Sequence, residues 1–216
     1  MHPDAAMHKP SLLPPPPAQR GVTLVVVLLI LVVVTILGIG GAQIALLGER
    51  STRYDRDNLV ASQSAESALM DAEFDIAGPN AFAGNRVAQF SPTNTGIFVP
   101  DCGTAGLSQG LCEPKPETQR PVWLTVDFLD DDPATARTVE YGQFTGGQFD
   151  AGGTGIKPAR KPRYMVEVLD DQAWGSSAKY DPGKPQLKLY RVTAMGFGPR
   201  EDIQVVMQMT YRKDRD

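Results

Sequence analysis

Residues 21–48 read GVTLVVVLLILVVVTILGIGGAQIALLG and contain no charged side chain. The apolar centre of this stretch, residues 22–42, has the roughly 20 residues needed to cross a bilayer core about 30 Å thick. Because lipid offers the backbone no hydrogen-bond partners, a single span of this composition must be helical. We therefore predict one membrane-anchoring helix near the N-terminus, in residues 22–48.

The residues before the span form an unusual leader. Four consecutive prolines at 14–17 favour an extended chain, so no helix is expected before Ala18. Three interpretations fit this leader: a secretory signal cut after Ala42, an uncleaved signal anchor on an unrelated periplasmic domain, and a prepilin leader. Arginines flank the span on both sides, so the charges by themselves do not give the orientation.

The helical pattern continues beyond the membrane span. Residues 49–77 contain no proline or glycine, and Gly78-Pro79 is a stop signal. Apolar residues recur at helical spacing: Tyr54, Ala61, Ala65, Ala68, Leu69, Ala72 and Ile76. Polar residues cover the other side: Arg50, Arg53, Arg56, Gln63, Ser67 and Asp71. We predict that residues 49–77, here called the spine, pack on a more C-terminal domain.

Three glycines interrupt the apolar stretch, at Gly38, Gly40 and Gly41. Each weakens an isolated helix by about 1 kcal/mol relative to alanine. One interpretation is close packing against another helix through small residues. The other is a soft point at which the helix unwinds or bends during assembly.

The segment Arg20-Gly21-Val22-Thr23-Leu24, with the apolar stretch and spine that follow, resembles the N-terminus of type IV prepilins. Residues 61–73 and the tail, residues 187–213, are similar to minor pilins of the PilX type. The resemblance implies that residues 1–21 are a leader, which a prepilin peptidase removes by cutting after Gly21. It also implies N-methylation of the new terminal Val22 and packing of the helix in a filament core.

The fifth residue after the implied cut is Val26, where major pilins carry a glutamate. In that family the carboxylate is thought to pair with the N-terminal amine of a neighbouring subunit. An amine without that partner is costly in an apolar core. The difference indicates a minor pilin rather than a major pilin.

Residues 78–216 are predicted to form a β-rich domain outside the cytoplasm. Strands are expected at residues 121–129, 163–169, 187–197 and 203–212, with residues 196–202 as a hairpin loop. Apolar and polar side chains alternate in the last strand, which indicates that one face of the sheet is buried. Another element must cover that face. The spine supplies a matching stripe, so we predict an α+β fold in which a long N-terminal helix packs on an antiparallel sheet, as in pilins.

The two cysteines of the chain, Cys102 and Cys112, lie in a glycine-rich segment. Two free thiols are the alternative, but no second pair or nearby histidine completes a zinc site, so we predict a disulfide. A disulfide indicates an oxidising compartment, which places this domain on the periplasmic side of the inner membrane.

Composition argues against catalysis and nucleic-acid binding. The 216 residues carry a net charge of −4, and the two histidines, His2 and His8, lie in the leader. Without them no His-dependent nucleophile or His-based metal site can form. We therefore expect no catalytic residue, no metal, no cofactor and no specific nucleic-acid partner.

Three other segments are candidate ligand-binding sites. The acidic runs at 130–132 and 170–171 are interpreted as solvated turns, with calcium as the alternative. The glycine-rich residues 142–155 lack the Lys-Ser/Thr of a phosphate loop and are interpreted as a flexible surface loop. The basic cluster is interpreted as a solvated linker, with weak anion contact as the alternative: Lys157, Arg160, Lys161 and Arg163.

The resemblance implies a structural minor pilin that primes type IV pilus assembly and lies at the pilus tip, in support of adhesion, motility or DNA uptake. Its implied partners are other minor pilins, the major pilin, the prepilin peptidase, the inner membrane before assembly, and a large tip adhesin. After assembly the protein would be extracellular. Two alternatives stay open: a minor pseudopilin of a type II secretion system, and a single-span envelope protein with a periplasmic binding domain.

Overall fold

The computed structural model describes residues 22–91, 95–149, 155–171 and 188–213. The predicted leader with Gly21, residue Leu187 and part of the glycine-rich stretch, residues 150–154, lie outside the described residues. The chain divides into two compact units between Ser51 and Thr52. The fold is α+β, as predicted.

Helix α1 runs from Val22 to Ala77. It ends at the predicted stop, where Gly78 adopts φ +75° and its N–H donates to the carbonyl of Phe74 at 3.0 Å. Glycine is the residue that takes this left-handed conformation without steric cost, so it closes the last turn. The peptide bond between Gly78 and Pro79 is cis.

The C-terminal unit contains one sheet of five strands. They are β1 (Leu111–Cys112), β2 (Val139–Glu140), β3 (Arg163–Asp170), β4 (Lys188–Phe197) and β5 (Gln204–Tyr211). Strands β3, β4 and β5 form an antiparallel meander, as the sequence predicted. The short strands β1 and β2 share the outer edge of β3, and β1 runs parallel to it, so the sheet is mixed rather than purely antiparallel.

One face of the sheet packs against the spine. Small residues of α1 share a buried core with alternate residues of β3 and β4. Gly196 in β4 is the closest approach, since a Cβ there would lie 2.2 Å from the carbonyl oxygen of Ala61 and from the amide nitrogen of Ala65. The backbones of β4 and the spine are in contact at this point. For this reason the buried face of the spine is built from alanine. The main members of the core are Ala68, Ala72, Ile76, Tyr164, Val166, Tyr190, Val192 and Ala194.

The opposite face is covered by a loop layer. Met165 of β3 packs in a second cluster with the Cys102–Cys112 disulfide and with Val122, Val126 and Phe128. The predicted strand at residues 121–129 was wrong. A 3-10 helix occupies Val122–Leu124, and its turns bond locally, as in the N–H of Val126 donating to the carbonyl of Val122 at 3.2 Å. The apolar residues of this segment serve as a lid over the sheet rather than as a strand within it.

The predicted hairpin is present. Tyr190 of β4 pairs with Tyr211 of β5, and Phe197 pairs with Gln204. Odd-numbered residues of β5, from Val205 to Tyr211, are half-buried on the spine side, while Gln204, Val206, Gln208 and Thr210 are exposed. The alternation therefore has the phase expected from the sequence.

Candidate assembly surface

The first half of α1 has apolar side chains that no described residue of its own unit buries. Val26 is 49% exposed, and its valine and leucine neighbours are exposed to similar extents. This helix is long and apolar enough to cross a membrane, a criterion of length and composition that a signal sequence would also meet. An apolar surface of this size requires lipid or protein around it.

The predicted soft point lies within a regular helix. Gly38, Gly40 and Gly41 are all helical, and a Cβ added at any of them would meet no other atom within 4 Å. No described residue is therefore the partner that the packing interpretation requires. Whether the helix unwinds here during assembly stays a prediction.

The spine has an exposed apolar stripe that sequence reasoning missed. Leu59, Met70 and Phe74 are 56%, 60% and 44% exposed. At 100° per residue these three lie within about 60° of one another, on the side opposite the buried alanines. The spine thus buries mainly small residues against its own sheet, with Ile76 as the large exception, and turns Leu59, Met70 and Phe74 outward. A search of the polar face for apolar residues three, four or eleven positions apart would have found this stripe.

Asp71 was assigned to the polar face, and that prediction was wrong. Its side chain is buried, accepts the amide of Gly142 at 2.8 Å and accepts the hydroxyl of Thr145. Burial raises the pKa of the Asp71 carboxyl, and these two hydrogen bonds oppose the shift. The carboxylate joins the spine to the turn at residues 141–146.

That turn corrects the prediction of a flexible surface loop at residues 142–155. Its first part is ordered because Phe144 is buried in the core and Gly146 donates to the carbonyl of Gly142 at 2.8 Å. A Cβ on Gly142 would lie 2.0 Å from the carbonyl oxygen of Gly147. The glycine therefore allows a close backbone approach, which needs no ligand to explain it.

A fully buried ion pair joins the spine to the rest of the domain. Arg86 and Asp75 have no exposed side-chain surface, and Nη2 of Arg86 lies 2.7 Å from Oδ2 of Asp75. The Arg86 guanidinium also donates to the carbonyls of Leu107 and Gln109, and it lies 3.9 Å from the centre of the Phe144 ring. We call Asp75, Arg86 and their partners the buried lock.

Tyr164 completes the buried lock, donating its hydroxyl to Oδ2 of Asp75 at 2.9 Å. Burial raises the pKa of Tyr164 well above its usual value, and the negative charge of Asp75 acts in the same direction. The side chains of Asp75, Arg86 and Tyr164 are fully buried and bond to one another and to backbone carbonyls. The arrangement holds the spine on the sheet.

Residues of the basic cluster pair with carboxylates, one of which belongs to the acidic run at 130–132. Arg160 pairs with Asp131 at 2.5 Å, and Lys161 pairs with Glu140 at 2.7 Å. Burial lowers the pKa of Arg163, which donates to the Thr138 hydroxyl at 2.6 Å. Within the described residues no group of three or more His, Cys, Asp or Glu side chains could hold a metal ion. Three of the four residues of the basic cluster, Arg160, Lys161 and Arg163, therefore pair with carboxylates of the same domain.

The comparisons with known proteins match both ends of this architecture. Residues 20–69 match the family model of the PilX N-terminal region, and residues 108–213 match that of the C-terminal region of the type IV pilus assembly protein PilX. The comparisons with curated proteins and with solved structures return no match. The two matched segments hold the anchor, most of the spine and the whole sheet, and the chain belongs to the PilX family of type IV pilus assembly proteins.

Proposed function

We propose that this minor pilin primes type IV pilus assembly as part of a small complex of minor pilins and then lies at the pilus tip. The observation that carries the proposal is the division of apolar surface along α1. The first half exposes apolar residues on every side, and the spine exposes Leu59, Met70 and Phe74. Both surfaces suit burial against lipid before assembly and against neighbouring helices afterwards.

Processing is the first step of the proposal. The prepilin peptidase cuts after Gly21, and Val22 becomes the methylated terminus. Val26 offers no carboxylate to the N-terminal amine of a neighbour. A subunit with this property fits a filament end, where no neighbouring amine depends on it.

The β-rich unit presents its loops to partners. Its disulfide supports a periplasmic location for this unit before assembly and an extracellular one afterwards. The partners proposed are other minor pilins, the major pilin and a large tip adhesin. Adhesion, motility and DNA uptake would follow from the pili that the complex initiates.

The test of processing is the N-terminal sequence and mass of the membrane-extracted protein, with and without the prepilin peptidase. We expect a chain that begins at methylated Val22 only when the peptidase is present. A chain that retains Met1, or that begins near Gln43, would contradict the minor-pilin processing proposed here.

The test of the spine stripe is the double variant L59K/M70K, with L59M/M70L as its matched control. The lysines place two charges on the exposed face and touch no buried residue, so the sheet domain should unfold at an unchanged denaturant concentration. We expect pili to be lost in the lysine variant and retained in the control. Wild-type pilus yield in the lysine variant would exclude the stripe from assembly.

A further inference from the structure

Two residues of the spine stripe belong to a longer row of exposed side chains, here called the exposed seam. Its members follow one another at alternating intervals of four and three residues. This spacing keeps side chains on one narrow face of a helix, and it is the pattern on which a second helix packs. The members of the exposed seam are Leu59, Gln63, Glu66, Met70 and Glu73.

The two glutamates of the exposed seam have no cation beside them. Neither Glu66 nor Glu73 forms a side-chain hydrogen bond or an ion pair with a described residue. Residues 57–77 contain no lysine or arginine that could serve them. Other carboxylates of the domain are paired, for example Asp131 with Arg160. The exposed seam therefore combines apolar surface with unpaired negative charge.

These charges define the helix that can cover the seam. A helix packed on Leu59 and Met70 also removes water from Glu66 and Glu73. Desolvation of a carboxylate without a cation is costly, so the covering helix needs Lys or Arg opposite each glutamate. Glu66 and Glu73 are separated by about 10 Å along the helix axis and by about 20° around it. Two matching cations on a partner helix are therefore seven residues apart.

The glutamates also decide between lipid and a helix as the final partner. The apolar residues alone would suit either. Helices that lie on a membrane surface carry Lys and Arg on their polar side, where these residues pair with anionic headgroups. Glu66 and Glu73 would be repelled by such headgroups, and no cation of residues 57–77 offsets the repulsion.

A second copy of this chain does not supply the two cations. Among the described residues α1 is the single α-helix, and the arginines of its spine are Arg50, Arg53 and Arg56. Neighbours in this set are three residues apart, which is about 5 Å along the axis, or half the separation of the glutamates. Arg50 and Arg56 are six residues apart and lie about 120° apart around the helix, so they cannot both face one seam.

We propose that the exposed seam binds an amphipathic helix of a different pilus subunit, which carries two Lys or Arg residues seven positions apart beside its apolar residues. Apolar packing on Leu59 and Met70 provides the contact, and the two ion pairs select the partner and fix its register. The proposal rests on the assembly function proposed above and names the partner of the spine stripe by its chemistry.

Charge reversal in the seam tests the proposal. The full-length variant E66K/E73K is co-expressed with the other minor pilins, and the complex is extracted from the membrane. Its matched control is E113K/E117K, which changes the net charge equally at two exposed loop glutamates. We expect recovery of the complex to fall about tenfold or more with E66K/E73K and to stay unchanged in the control. Both variants should unfold at the wild-type urea concentration, because all four residues are exposed. Wild-type recovery with E66K/E73K would overturn the proposal.

Salt dependence separates the ion pairs from the apolar contact. The wild-type complex should dissociate more readily at high salt than at low salt, because salt screens charges at an interface. E66Q/E73Q keeps the shape of both side chains and removes their charge, so its complex should be weaker and less sensitive to salt. The same salt sensitivity in both proteins would overturn the proposal.

Photo-cross-linking identifies the partner. Gln63 is replaced by p-benzoylphenylalanine in the full-length protein, and the cross-linked peptide is mapped by mass spectrometry after irradiation of intact cells. We expect a peptide of a different pilus subunit with two Lys or Arg residues seven positions apart. Substitution of these two residues by glutamate should restore the complex of E66K/E73K. A cross-link to a second copy, to lipid alone or to a peptide without that pair of cations would overturn the proposal.

Two combined outcomes separate this inference from the function proposed above. Loss of the complex with L59K/M70K but not with E66K/E73K would overturn the charge pairing and leave the assembly function in place. Absence of the wild-type protein from any pilin complex would overturn both together.

Discussion

The two halves of α1 handle apolar surface in opposite ways. In the first half large aliphatic residues cover every side of the helix and are exposed. In the spine the buried side consists largely of alanine and carboxylates, and large residues such as Leu59 and Met70 point outward. Burial in the spine is therefore limited by how closely the helix approaches the sheet rather than by hydrophobicity. Inside the subunit the spine buries mainly small residues, and its larger exposed residues remain for the contacts proposed above.

The largest expected effect comes from a variant that breaks the buried lock, which is part of the contact between the spine and its own sheet. R86M leaves the Asp75 carboxylate buried with Tyr164 as its remaining partner, and should lower the unfolding free energy of the sheet domain by about 3–5 kcal/mol. Urea denaturation followed by near-UV circular dichroism measures the change. R200M is the matched control, because the Arg200–Asp202 pair is exposed and should contribute about 0–1 kcal/mol. Equal effects of the two variants would mean that the lock does not hold the spine.

The disulfide comes next in size. The double variant C102S/C112S should cost about 3 kcal/mol, because the unfolded chain gains the freedom of the opened loop. The same urea experiment, run on the oxidised wild type, gives the comparison. Because Arg86 donates to the carbonyls of Leu107 and Gln109, which lie inside the loop that the disulfide closes, the effects of R86M and C102S/C112S should not be additive. Additive effects would mean that the loop and the buried lock stabilise the domain independently.

Two glycine-to-alanine variants compare the surroundings of the two halves of α1. Gly196 lies in β4 against the spine, and Gly38 lies in the first half of the helix. At Gly196 the added Cβ of G196A would overlap the spine backbone and should cost about 1–3 kcal/mol. At Gly38 a Cβ meets nothing, so G38A should leave urea unfolding of the sheet domain unchanged. Pilus yield is then the informative measurement for G38A. A loss would support the soft point or a close helix partner, and an unchanged yield would argue against both.

The smallest effect is on pH dependence. Burial raises the pKa of Asp71 from its usual 3.8, so the folded state holds this proton more tightly than the unfolded state does. Stability linked to Asp71 is therefore highest below pH 3.8 and falls as the pH rises through the raised pKa. Relative to D71N, the wild type should lose unfolding free energy as the pH rises above 3.8. A constant difference between the two proteins across this range would contradict the assignment.

The sequence predicted the elements that depend on local pattern. The end of α1 follows from Gly78, and the β4–β5 hairpin follows from strict alternation after a turn. The disulfide could be predicted because the chain has two cysteines and no second pair or nearby histidine that would complete a zinc site with them. Each of these predictions rests on a signal carried by neighbouring residues, and each is present in the structure.

The errors fall where long-range contacts override local signals. Asp71 sits in the spine at a position predicted to belong to the polar face, yet it is buried by groups 71 and 74 residues away. Residues 121–129 carry the apolar residues of a strand but serve as a lid. The partner of a carboxylate cannot be read from its neighbours in sequence, because a buried charge is stabilised by whichever donors the fold brings to it.

By itself, the sequence determined the membrane-length apolar helix, its continuation as a spine, the strand meander and the resemblance to PilX-type minor pilins, because periodicity and composition encode these features locally. The tertiary structure alone decided how the buried lock ties the spine down, that residues 121–129 cover the sheet, and that no described strand lies beside β5 on the side away from β4. These depend on contacts between distant segments. The position of β5 at the end of the sheet is a property of strand order, which local alternation does not specify.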